Sequence, residues 1–190
     1  MQKTTFFSGL ALAGTLLLAA LPAQAQQLVP AQSSVEFTAR QMGVPLQGHF
    51  KKFDAQVAFD PAQLAASRIR FTVDTGSATM GARETDAELP KAPWFNVPQF
   101  PQATFESSAI KALGGGKFDV AGKLTIKGTA VNVSMPVQLA QSGSTTTATG
   151  TLPLKRLAFK IGDGEWADTS MVADEVLVKF KLALTGVGKL

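Results

Sequence analysis

The chain has 190 residues and no cysteine, and 45% of its residues are hydrophobic, so its core must form without disulfide bonds or cysteine-bound metal. The formal net charge is +4, and the lysines and arginines are scattered rather than gathered into a basic stripe. This distribution argues against nucleic-acid binding and is typical of an ordinary soluble surface.

The first 25 residues have the pattern of a cleaved export signal. Lys3 precedes an apolar run over residues 6–20, and the small-residue sequence Ala23-Gln24-Ala25 follows. The run is shorter than the roughly 20 residues that a membrane-spanning helix needs. We therefore expect cleavage after Ala25 and a single mature domain over residues 26–190.

Beyond the predicted signal, apolar and polar residues alternate, which is typical of β-strands with one buried face. Turn sequences such as Lys127-Gly128-Thr129 and Gln141-Ser142-Gly143-Ser144 separate the alternating runs. The pattern predicts eight strands, near residues 33–40, 48–59, 68–74, 103–110, 117–127, 129–140, 145–155 and 174–184.

The predicted fold is all-β, an eight-stranded antiparallel barrel. Eight such strands without a helix long enough to cover a sheet favour closure, because closure removes exposed strand edges. Pro136 lies within one predicted strand and requires a bulge or a bend there, since proline cannot donate a ladder hydrogen bond.

The alternation stops between residues 76 and 101. Thr85 and Glu88 form a weak capping box, and four prolines forbid a long helix. We predict one or two helical turns followed by an irregular arm that carries Trp94, Phe95 and Phe100. Exposed rings would promote aggregation, so we expect this segment to pack across one barrel mouth as a short helical lid.

Side chains suited to catalysis are scarce. The chain has no tyrosine, and its one histidine, His49, lacks a second imidazole to complete a histidine-rich metal site. Glu84, Asp86 and Glu88 are spaced two apart, which places them on different sides of a helical turn. We therefore predict no enzyme activity, no metal and no cofactor; an enzyme acting on a bound lipid would have to use His49, Asp86 or Glu88.

The aromatic residues are instead suited to apolar packing. Thirteen phenylalanines and two tryptophans occur without any tyrosine hydroxyl. An eight-stranded barrel is wide enough either to be filled by its own side chains or to hold one small ligand. The alternation alone leaves both possibilities open.

Ordered fragments along residues 26–190 resemble the YceI-like family. The matching fragments are Ser34-Val35-x-Phe37, Gly48-x-Phe50-x-x-Phe53, Trp94-Phe95, Phe100-Pro101-x-Ala103-x-Phe105, Gly122-x-Leu124-Thr125-Ile126-Lys127-Gly128, Pro136-Val137 and Arg156-x-x-Phe159-x-Ile161-Gly162-x-Gly164-x-Trp166. The resemblance implies a lipocalin-like barrel, a periplasmic location, and binding of a polyisoprenoid, an isoprenoid quinone or a fatty amphiphile, with no established catalysis.

One position departs from the family pattern, in which an Arg-Asp pair often precedes the lid. Asp86 and Leu89 match that pattern, but Thr85 stands at the arginine position. Arg83 is a candidate replacement. The candidate polar residues at the mouth are therefore His49, Arg83 and Asp86.

An apolar tail should dominate the affinity for such a ligand. Each buried CH₂ is worth about 0.8 kcal/mol, whereas a partly exposed ion pair to a head group adds only about 0–1 kcal/mol. The candidate ligand-binding residues are Phe37, Met42, Phe59, Phe71, Trp94, Phe95, Phe105, Ile126, Met135, Val137 and Phe180.

The main alternative is a stress-response or interaction protein with a solid barrel, which docks on a membrane redox partner that uses quinones. An outer-membrane barrel is disfavoured, because charged residues alternate along the strands and tyrosine girdles are lacking. We expect no nucleic-acid partner and no stable membrane insertion, and a homodimer is possible.

Overall fold

The computed structural model describes residues 26–190, and the predicted export signal lies outside the described residues. Within this range the chain forms eleven strands and one short α-helix. The strands are β1 (Gln27–Leu28), β2 (Ser34–Gln41), β3 (Val44–Phe50), β4 (Phe53–Ala58), β5 (Arg68–Asp74), β6 (Ala78–Thr79), β7 (Gln102–Gly114), β8 (Lys117–Ile126), β9 (Thr129–Ser142), β10 (Thr145–Lys155) and β11 (Glu175–Thr185). Helix α1 (Arg83–Glu88) lies between β6 and β7.

All eleven strands belong to one antiparallel sheet in the order β4-β5-β7-β8-β9-β10-β11-β2-β3-β6, with β1 paired to β11. Although β3 and β4 lie near opposite ends of this order, only Lys51 and Lys52 separate them along the chain. Gln26, next to β1, also bridges to Val57 of β4. The sheet therefore curls until its two edges meet, and the bent segment β3–β4 joins them.

The predicted all-β antiparallel barrel with a short helical lid is confirmed. If β3 and β4 are counted as one bent strand, the barrel has eight long strands. Among the predicted strands, 48–59 differs most from the structure. The observed strand begins earlier, at Val44, and is interrupted at Lys51–Lys52. There the backbone bonds to the turn after β5 instead, with Lys51 N donating to Ser77 O at 3.2 Å.

Pro136 marks the point at which β9 leaves β10. The ladder between these strands runs from Ser142–Thr145 only as far as Val137–Gly150. Since proline has no backbone N–H, the ladder ends where it would have lost a donor. At Pro136, where the sequence predicts a bulge or a bend, β9 and β10 therefore separate.

Three phenylalanines cover glycines on neighbouring strands. A Cβ atom at any of these glycines would overlap the ring above it. Because glycine offers no side chain, the ring rests against the wall instead of projecting toward the barrel axis. The three pairs are Phe37 with Gly48, Phe105 with Gly122, and Phe180 with Gly150.

The two ends of the barrel differ. The lid end carries α1, the arm over residues 89–101 and the loop over residues 156–173, which connects β10 to β11. The closed end carries the turns between β7 and β8 and between β9 and β10, and the main packed cluster lies toward it. Phe59 and Phe118 pack edge to face in this cluster, with ring centroids 5.2 Å apart.

Candidate functional site

The barrel encloses a cavity of about 590 Å³, within the range of about 300–1,000 Å³ typical of small-molecule pockets. Inward-facing residues of nearly every long strand line it, together with residues of the lid end. Phe71 and Phe180 are only half-buried although they line the interior, because the side that they turn to the axis meets empty space. The barrel is therefore hollow rather than filled by its own side chains.

The lining is almost entirely apolar. The polar residues among those that line the cavity are Arg40, Gln41, Glu84, Thr85, Glu88, Thr146 and Arg156.

The cavity opens to solvent at the lid end, between the end of β2 and α1. Four lining residues there, Arg40, Gln41, Glu84 and Glu88, are exposed. We call the group of Arg40, Gln41, Glu84, Thr85 and Glu88 the mouth. These residues both line the cavity and contact solvent, because the cavity wall meets the outer surface here.

The opposite end is closed by hydrogen bonds around Thr146, which is only 1% exposed. Gln141 Nε2 donates to Thr146 Oγ1 at 3.2 Å and to the carbonyl oxygen of Gly188 at 3.2 Å. Val187, next to Gly188, lines the cavity floor. The tail of an amphiphile that enters at the mouth would therefore end in an apolar pocket.

Aromatic side chains cover the rest of the lid end. Trp94 of the arm packs against Trp166 of the loop, with ring centroids 5.6 Å apart. Phe95 packs edge to face on Phe50 at 5.9 Å, and Phe50 in turn contacts Phe37 at 5.3 Å. All five side chains line the cavity, so the arm and the loop together form its cover.

Lys127 holds the arm and the loop together. This residue lies in the turn between β8 and β9, and its side chain is only 7% exposed. Its Nζ donates to Pro93 O at 3.2 Å and to Lys160 O at 2.6 Å, and it lies 3.5 Å from an Asp163 carboxylate oxygen. The cover is therefore fastened on this side, away from the mouth.

Arg156 organises the loop from inside. Its guanidinium donates five hydrogen bonds to backbone carbonyl oxygens of this segment. Burial lowers the pKa of this guanidinium from its ordinary value, and Asp174 opposes that shift, but an arginine remains charged at neutral pH. The backbone carbonyl dipoles of the loop therefore stabilise the positive charge of Arg156 without any ligand.

Asp86 fixes the start of the lid rather than lining the cavity. Its carboxylate accepts hydrogen bonds from Met80 N at 2.6 Å and from Thr79 Oγ1 at 2.5 Å. These two bonds lower the pKa of the Asp86 carboxyl below its usual 3.8. The other two candidate polar residues, His49 and Arg83, are exposed and lie outside the lining.

The structure brings most of the candidate ligand-binding residues together around one cavity. Those that line it are Phe37, Phe59, Phe71, Trp94, Phe95, Phe105, Ile126, Met135, Val137 and Phe180. Met42 does not, and it is 70% exposed. The reason is the turn between β2 and β3, where Met42 and Gly43 both have positive φ angles, 50° and 81°, as in the tight hairpin turns that match strand twist.

Sequence reasoning missed the polar residues Arg40 and Gln41 at the mouth. Gln41 continues the inward series Phe37 and Ala39 on β2, so the period of two could have identified it. Nothing in the pattern identifies Arg40, because its position in the lining depends on the end of β2 at the rim of the cavity.

Over residues 26–190, no group of three or more histidine, cysteine, aspartate or glutamate side chains is arranged to hold a metal ion. Helices that are both long and apolar enough to cross a membrane are also absent from this range.

The model of the YceI-like domain matches residues 26–184. A UPF0312 protein of Vibrio parahaemolyticus is 30% identical over 149 residues, which cover 76% of this chain and 77% of that protein. The crystal structure of BcnA from Burkholderia cenocepacia is 49% identical, with a TM-score of 0.79 over 82% of this chain and 98% of its own. A polyisoprenoid-binding domain from Saccharophagus degradans has a TM-score of 0.68 at 16% identity, over 85% of this chain and 98% of its own, which shows a common fold.

Proposed function

The chain belongs to the YceI-like family, and from this premise we propose that its barrel binds a polyisoprenoid or similar long-chain amphiphile and carries or stores it in the periplasm. The observation that supports the proposal most strongly is the apolar cavity of about 590 Å³. The name of the Saccharophagus domain supports the same ligand class, and the export pattern of the first 25 residues supports the location.

The energetics favour binding dominated by the tail. About ten buried carbons contribute roughly 8 kcal/mol before the costs of ordering are subtracted. In the cavity these carbons would contact rings such as Phe71 and Phe180, which are half-buried without a ligand. We propose a binding protein rather than an enzyme, because the lining offers no nucleophile paired with a base.

A pair of variants tests whether the cavity holds the ligand. Ala39 lines the cavity, whereas Ala140 is exposed on β9 and outside the lining. Native mass spectrometry of protein purified from its own periplasm should show a bound lipid in the wild type and in Ala140→Trp. Ala39→Trp should lose the lipid and remain folded, because the indole occupies empty space.

Absence of lipid from the wild type, together with no uptake of an added polyprenol, would contradict the proposal. If the interior were already full, Ala39→Trp would instead cost about 1–3 kcal/mol of unfolding free energy through overpacking.

A second candidate function is docking on a membrane redox partner that uses quinones. Exposed apolar side chains of Met42, Val44 and Met171 favour it, and Met42 N donates to Met171 O at 2.8 Å, so two of them are neighbours. Replacing all three by serine should abolish co-purification with such a partner and leave lipid binding unchanged.

A further inference from the structure

Two arginines line the cavity, but only one of them can bind a head group. Arg156 donates its five N–H groups to the carbonyl oxygens of Ala173, Ile161, Gly162, Trp166 and Val172. A guanidinium has five such donors in all, so none remains for a ligand. Within the part of the chain that the structure describes, the Arg40 guanidinium makes one bond, of 3.3 Å to Gly43 O, and its other donors have no partner.

Carboxylates occupy the mouth beside Arg40. Glu84 and Glu88 both line the cavity and are exposed. Glu88 is bound by Lys91 at 2.5 Å, whereas Glu84 forms no ion pair within residues 26–190. Among the described residues that line the mouth, a doubly or triply charged diphosphate would therefore meet a carboxylate on α1 and one cation, Arg40 on β2.

The mouth itself carries no excess of positive charge. Arg40 supplies its one positive charge, and Glu84 and Glu88 supply two negative charges, of which that of Glu88 is paired with Lys91. The charges of the mouth thus provide no net attraction for an anion.

The same residues can form hydrogen bonds with the oxygen atoms of an uncharged head group. The free donors of Arg40 and the side-chain amide of Gln41 can donate to a carbonyl or hydroxyl oxygen, and the Glu84 carboxylate can accept a bond from a hydroxyl. Thr85 can do either. Hydrogen bonds of this kind orient a head group without requiring it to be charged.

Resting on the proposed function, we infer that the mouth selects amphiphiles with an uncharged, oxygen-bearing head group, an alcohol or a quinone, over those with a diphosphate. The mouth is exposed, so the carboxylates act through water and the effect is moderate. We expect a polyprenol to bind about tenfold more tightly than the diphosphate of the same chain length.

The test is calorimetric titration of delipidated protein with a polyprenol and with its diphosphate. The double variant Glu84→Gln/Glu88→Gln should strengthen diphosphate binding severalfold and change polyprenol binding little. The matched control, Glu36→Gln/Glu106→Gln, removes the same charge from exposed positions outside the lining and should leave the tenfold difference in place.

Equal or tighter binding of the diphosphate to the wild type would overturn the inference and leave the proposed function standing. An equal effect of the control variant would also overturn it, because selection would then follow overall charge. Failure of both ligands to bind would overturn the proposed function itself.

Discussion

Glycines at three wall positions keep phenylalanine rings out of the barrel axis. The clearest case is Gly48, where the three atoms nearest to an added Cβ all belong to the Phe37 ring. Gly48→Ala should therefore push this ring into the lumen and lower the unfolding free energy by about 1–3 kcal/mol. Denaturant titration measures the loss.

The double variant Phe37→Leu/Gly48→Ala separates this effect from a change in the backbone. Leucine is smaller than phenylalanine, so the double variant should be more stable than the sum of the two single losses predicts. Strict additivity would show that ring and glycine are not coupled.

Asp86 makes the lid sensitive to acid. Its pKa is lowered in the folded protein, so its stabilising bonds are fully present above the usual pKa of about 4 and are lost as the pH falls through the lowered value. The protection factor of the Met80 amide, which compares its exchange rate with the intrinsic rate at the same pH, should therefore fall in acid. Asp86→Asn should remove this pH dependence, whereas Asp54→Asn, an exposed change on β4, should retain it.

At the scale of elements, the alternating pattern predicts the long strands because each has one apolar face toward the barrel interior. The prediction misses the start of β3. Val44, Leu46 and Phe50 keep the period of two, but Pro45 argues against a strand, and the turn is Met42-Gly43 rather than a familiar asparagine-glycine pair. The bend at Lys51–Lys52 depends on hydrogen bonds to Ser77, which is distant in sequence and leaves no local signal.

The cover of the cavity depends on Lys127 because both of its parts bond to the same ammonium group. Lys127→Met keeps an unbranched apolar side chain, one atom shorter than that of lysine, and removes the donor. Since hydrogen bonds to charged groups contribute about 1.5–3 kcal/mol, we expect ligand release at least about tenfold faster. Stopped-flow transfer of the ligand to vesicles measures the rate.

Lys123→Met provides the control, because Lys123 is exposed on β8 and outside the lining. Its release rate should equal that of the wild type. An unchanged rate in Lys127→Met would show that the ligand does not leave past the arm and the loop.

At the scale of the whole molecule, sequence reasoning identified the set of inward rings but not the space between them. Phe37, Phe105 and Phe180 fit a solid core as well as a hollow one, and the difference depends on the cross-strand glycines that lie beneath the rings. Register decides which glycine meets which ring, and alternation alone does not specify the register between neighbouring strands. Only the family resemblance favoured the hollow barrel.

A hollow barrel gains stability from its ligand. Saturation at one hundred times the dissociation constant adds about 2.7 kcal/mol to the unfolding free energy. For a domain of this size that corresponds to about 5–10 °C in Tm. Calorimetry of delipidated protein with and without polyprenol should show this rise, and Ala39→Trp should show none.

Trp94 and Trp166 are the only tryptophans in the chain, and tyrosine is absent. They touch one another across the junction of arm and loop, where both border the space that a tail would enter. All tryptophan fluorescence of this protein therefore originates at the cover of the cavity. Its intrinsic fluorescence can therefore report the entry and release of a ligand in real time, without an attached dye.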